Sequence, residues 1–95
     1  MITTINQIKV MVLPILKEEG VIRAALFGSY VRDQEQENSD IDMLVEVPKG
    51  TGLFAFVGLQ RRLEQALHKK VDLVTYNSIH PLLRDQILSE QLSIL

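Results

Sequence analysis

Apolar positions near the start of the chain recur at helical spacing, with Ile5, Ile8, Val12, Ile15 and Leu16 drawing one stripe along a helix. Thr3 or Thr4 can cap its first turn and Gly20 stops it. Pro14 lacks the amide that would bond to the Val10 carbonyl, which predicts a kink. Residues 21–27 form an apolar run broken only by Arg23, the pattern of a buried strand. Gly28-Ser29 ends that strand, residues 30–32 open a short helix, and residues 33–39 are polar, acidic and aperiodic. Residues 40–47 predict a second strand, and 48–52, with Pro48, Gly50 and Gly52, a loop. Helical spacing returns over 53–68, where Phe56, Leu59, Leu63, Ala66 and Leu67 share a face. Residues 71–75 predict a third strand and 81–90 a last helix, with Leu82, Leu83, Ile87 and Leu88 inward. The tail, 92–95, alternates and suits a final extended segment.

Strands separated by helices imply an α/β (α+β) fold: a small mixed sheet of about three to four strands covered by helices. With 95 residues the expectation is a single domain, 1–95, at the small end of what one core supports. The 46% hydrophobic content and a mean hydropathy of +0.12 make burial feasible. Cysteine is absent, so disulfides and thiolate zinc sites are excluded, and a reducing cytoplasm is the expected location. No basic leader precedes an apolar block, and no apolar run reaches the roughly 20 residues that span a bilayer. Neither a secretory signal nor a membrane association is expected. The net charge is −2 and the cations are scattered, which argues against direct nucleic-acid binding.

The chemistry is concentrated in Gly28-Ser29, ten intervening residues, and Asp40-Ile41-Asp42. On a strand Asp40 and Asp42 project from one side while Ile41 and Met43 take the other. Two like charges side by side repel, and a cation offsets the repulsion. Oxygen donors without His or Cys suit a hard ion such as magnesium. Asp72, between Val71 and Leu73, points away from both; if the third strand pairs beside the second, it joins the other two acids. Three carboxylates can hold two metal ions, about 3.5–4 Å apart, across a phosphoryl-transfer site. Gly28 permits close backbone approach, Ser29 adds a hydroxyl, and the amides of the following short helix favour an anion. Arg32 could reach a phosphate oxygen or pair with Asp33 or Glu35. His68 and His80 have no partners at ligand spacing and are read as surface residues. Phe27, Phe54 and Phe56 are read as core, and Tyr76 and Asn77 as a turn.

Gly28-Ser29-x10-Asp40-x-Asp42 resembles the signature of nucleotidyltransferases related to DNA polymerase beta, and the length resembles their minimal nucleotidyltransferase (MNT) family. The likeness continues through Ser39–Val45, Gly52-Leu53-Phe54, Lys70–Thr75 and Arg84-Asp85-Gln86-Ile87, in family order. The resemblance implies a polymerase-beta-like palm in which Asp40, Asp42 and Asp72 bind two Mg2+ ions, with Asp72 helping to activate the attacking hydroxyl. It implies that Gly28 and Ser29 hold the triphosphate of ATP. Many relatives have Arg-Gly after this turn; here Arg32 is kept and Asp33 replaces the glycine. The resemblance further implies an antitoxin that transfers AMP to a tyrosine of a HEPN-domain ribonuclease toxin. An antitoxin that neutralises the same partner by binding alone is the alternative. Transfer to a small molecule needs a second domain, and an Asp-x-Asp glycosyltransferase needs a larger one.

Overall fold

The computed structural model describes residues 4–34 and 39–95. Helix α1, Ile5–Glu18, is capped by Thr4; Thr3 lies outside the described residues. Thr4 Oγ1 accepts from the Gln7 amide at 3.2 Å, and Gln7 Oε1 accepts from the Thr4 amide at 2.8 Å. Such a reciprocal cap is worth about 1 kcal/mol. The helix continues through Pro14. The carbonyl that Pro14 leaves unbonded belongs to Val10, which is 72% exposed, so water can take its place.

Strands β1 (Arg23–Phe27) and β2 (Ile41–Glu46) follow, then helix α2 (Leu53–Leu67), strand β3 (Val71–Thr75), helix α3 (Pro81–Glu90) and strand β4 (Leu92–Ser93). β1 starts two residues later than the apolar run because the Val21 amide still bonds to the Leu16 carbonyl, at 3.0 Å, in the turn that closes α1. The sheet order is β3-β2-β1-β4. β1 is antiparallel to β2 and to β4, while β2 and β3 are parallel and joined through α2, giving the expected mixed sheet.

Alternation divides the sheet into two faces. Ala24, Leu26, Ile41, Met43, Val45, Val71 and Leu73 meet α1 and α2 in one large core, with Ile8, Val12, Leu16, Leu59 and Leu63 opposite. Ala25 and Leu44 lie on the other face, in a smaller cluster with Tyr76, Ile79, Ile87 and Leu88. Helix α3 covers that face with no fully buried residue of its own. Ile87 and Leu88 pack as expected, but Leu82 and Leu83 are 87% and 51% exposed and join neither core cluster. The helix is held from its middle and end, through Arg84 Nη1 to the Tyr76 carbonyl at 2.8 Å and Tyr76 Oη to Gln91 Oε1 at 3.2 Å. Its first turn therefore has little sheet beneath it. Phe54 also departs from the core expectation: it is 93% exposed, whereas Phe56, about 200° further round α2, packs inward. Tyr76 opens a tight turn, Tyr76–Ser78, but its ring is buried, 4.0 Å from the Arg23 guanidinium.

Candidate active site

Strand register brings two of the three acids together. Asp42 is the partner of Phe27 at the end of β1 on one side and of Asp72 at the start of β3 on the other. Asp40 precedes β2 by one residue and is exposed, as is Asp72, whereas Asp42 is half-buried. The Asp42 carboxyl is pushed up to about 6, first by desolvation and then by the charges of Asp72 and Asp40; Arg32 opposes the rise. All four groups are thus within electrostatic reach of one point. Among the described residues, no three acidic or imidazole side chains are gathered into a finished metal cage. An ion that keeps water and substrate oxygens does not need an all-protein cage.

Gly28 stands against Asp42. Its φ is +77°, and a methyl in place of its hydrogen would lie 2.9 Å from Asp42 Cγ and closer still to Oδ2. Glycine is required here twice, for conformation and for space. The helix expected at 30–32 is instead a single 3-10 turn at Gly28–Tyr30. One turn sums few peptide dipoles, so the helix-dipole contribution expected for anion binding is lost. The polar groups that remain are backbone amides and the partly exposed Ser29. Gly28 and Ser29 carbonyls accept from the Arg32 and Gln34 amides, at 3.1 and 2.9 Å, which holds the loop in shape.

Arg32 does not pair with Asp33, and Glu35 lies outside the described residues. Its Nη1 meets Glu90 Oε1 of α3 at 3.2 Å and its Nε meets Gln34 Oε1 at the same distance. A cleft of about 190 Å3 runs between this loop and α3, with Gly28, Arg32 and Asp42 on one side and Leu83, Gln86 and Glu90 on the other. The sequence marks Leu83 as an inward helix residue and Gln86 as part of a family-like segment, and assigns none of Leu83, Gln86 and Glu90 to the site. Their i, i+3, i+7 spacing marks one helix face, but only the fold reveals that this face looks onto the acids. His68 and His80 are exposed, as expected; the latter caps α3, its Nδ1 accepting from the Leu82 amide at 3.1 Å.

A family profile described as nucleotidyltransferase domain matches residues 10–93. The chain is 53% identical over 91 residues to MJ0435 of Methanocaldococcus jannaschii, a candidate protein adenylyltransferase, covering 96% of this chain and 98% of that one. It is 38% identical over 71 residues to the protein adenylyltransferase MntA of Thermococcus cleftensis, covering 75% and 72%. A toxin-antitoxin crystal structure with AMP-PNP contains a similar chain, with a TM-score of 0.79, 27% identity and coverage of 92% and 72%. A candidate minimal nucleotidyltransferase gives a TM-score of 0.77 at 34% identity, covering 88% and 86%. The chain belongs to the nucleotidyltransferase domain family, in its minimal nucleotidyltransferase branch.

Proposed function

We propose that this nucleotidyltransferase uses magnesium and ATP to place AMP on a tyrosine hydroxyl of a HEPN-domain ribonuclease toxin, and acts as its antitoxin. The observation that carries the chemistry is the register of Asp42 opposite Asp72, beside a glycine that leaves room for the carboxylate. A protein acceptor is supported by a relative named as a protein adenylyltransferase and by a similar chain seen in a toxin-antitoxin complex. Among the described residues no helix is long and apolar enough to cross a membrane.

The donor set fits magnesium: oxygens only, around a carboxyl that burial first and neighbouring acids second keep from ionising freely. Asp40, Asp42 and Asp72 would hold it, and when bound it would neutralise the triphosphate and make the acceptor hydroxyl more acidic. Gly28 and Ser29 accept the phosphate chain through backbone amides and the Ser29 hydroxyl. Arg32 exchanges Glu90 for a phosphate oxygen. Asp72, the most outward of the strand acids, takes the proton as the acceptor oxygen bonds to the α-phosphorus. The bond from that phosphorus to the bridging oxygen breaks in line, and pyrophosphate leaves.

The test is the mass of the acceptor after incubation with ATP and magnesium. A gain of one or more AMP groups, lost with Asp42→Asn, is expected. The exposed Leu53, Phe54, Leu82 and Leu83 favour a second reading, neutralisation by binding alone, since such side chains suit a partner surface. Inhibition undiminished in Asp42→Asn, without mass gain, would select it.

A further inference from the structure

We propose that the open half of the β3 edge is the docking strip for an extended segment of the acceptor protein, which adds a strand to the sheet beside Asp72. The identity of the occupant rests on the proposed function; the strip itself rests on the backbone.

β3 is an edge strand, with β2 on one side only. On the β2 side the pairing begins at Lys70, whose carbonyl accepts from the Ile41 amide at 3.0 Å. Val71 turns its own polar groups the other way, and α2 covers them: the Val71 amide donates to Glu64 Oε2 at 3.0 Å, and its carbonyl accepts from Gln60 Nε2 at 2.8 Å. Backbone groups alternate along a strand, so Leu73 and Thr75 face the same way as Val71. The Thr75 carbonyl accepts from Ser78 Oγ at 3.0 Å. Among the described residues no side chain takes the amide and carbonyl of Leu73 or the amide of Thr75. Half of this edge is thus shielded and half is open, and an open edge is a template for another chain.

What lies beside the open half suits a peptide. A groove of about 310 Å3, lined by Leu53, Phe56, Leu73 and Thr75 among others, runs along it, and Leu53 is 75% exposed. Main-chain bonds to the edge would supply affinity without regard to sequence, and the groove would select an apolar side chain at alternate positions. A strand added here lies about 4.8 Å from β3. Side chains that enter the groove are on the α2 side of the sheet. Their neighbours in the added strand fall on the opposite face, where Asp72 and Asp42 project. One extended segment can therefore anchor in the groove and present a hydroxyl beside Asp72.

Amide hydrogen exchange of the isotope-labelled chain, read by NMR with and without the HEPN acceptor, tests this. The amides of Leu73 and Thr75 should exchange about tenfold more slowly in the complex. Unchanged exchange at both overturns the inference. Protection that appears at high concentration of this chain alone assigns the strip to a second copy and overturns it too. Thr75→Pro removes one edge amide where φ is already −82°, within reach of proline. Its KM for the acceptor should rise about tenfold, with kcat and AMP-PNP binding held within about twofold. An unchanged KM in a folded variant is contradictory, and if the variant does not fold the exchange result on the wild type decides alone. Protection without any AMP transfer would sink the proposed chemistry and leave the docking strip standing.

Discussion

On the face of the sheet that meets α1 and α2, Ile8, Leu26, Met43 and Leu63 have no accessible surface at all, and the inward positions of β1 and β2 join Val71 and Leu73 of β3 in one continuous core. On the face that meets α3, the same alternation places Ala25 and Leu44 in a small cluster and then gives way to Asp42 and Asp72. The first face is closed by long helices whose apolar stripes match it. The second is closed by a helix that buries nothing completely, so a cleft remains beside the acids. Stability is concentrated on one side of a two-sided sheet, and the other side keeps its like charges close together. Desolvation and neighbouring carboxylates disfavour ionised Asp42, and the core behind it tolerates that cost.

Substitutions should separate the two faces. Leu63→Ala, at the centre of the α2 core, should cost about 2–5 kcal/mol in chemical denaturation. Gly28→Ala combines a left-handed backbone with a collision against Asp42 and should cost about 2–3 kcal/mol, with transfer activity lost. Losing activity without that destabilisation would mean that the loop moves aside freely.

Asp42→Asn should act in the opposite sense. The Asp42 carboxyl titrates at about 6 in the folded chain against an ordinary 3.8. The raised value means that its contribution to stability is fully present below about pH 4 and is lost as pH rises through about 6. The displacement corresponds to about 3 kcal/mol for a fully shielded group, and screening on this open face reduces that to about 1 kcal/mol. Asp42→Asn should therefore melt higher than wild type at pH 7.5 without metal, and the difference should vanish near pH 4. A lower melting temperature at pH 7.5 would make Asp42 a structural hydrogen-bonding residue instead. Leu82→Ser, on the exposed first turn of α3, should change stability by less than about 0.5 kcal/mol. A larger loss would show that α3 is packed more tightly than its exposure indicates.

Much of this contrast was legible in the sequence. Alternation placed Asp40 and Asp42 on the side opposite Ile41 and Met43, and the helical stripes of α1 and α2 predicted the face they bury. The pairing of β3 beside β2, on which the meeting of Asp72 and Asp42 depends, could be stated only as a condition. Periodicity also overreached where a helix projects past its sheet. Leu82 and Leu83 have the spacing of an inward stripe, yet Leu83 borders the open cleft and Leu82 is 87% exposed. Phe54 is as apolar as Phe56 but lies on the wrong side of α2. The partner of Arg32 was beyond local reading because Glu90 is 58 residues away along the chain. The short turn at Gly28–Tyr30 looked like the start of a helix because its length is set by the bonds from Arg32 and Gln34, not by composition.

The most direct measurement is the intact mass of the HEPN acceptor after incubation with ATP, magnesium and either wild-type chain or Asp42→Asn. Wild type should add AMP to the acceptor, and the variant, folded and at least as stable, should transfer at a rate lower by about a thousandfold. Equal AMP incorporation by the two proteins would contradict the central claim that the paired acids of β2 and β3 carry the chemistry.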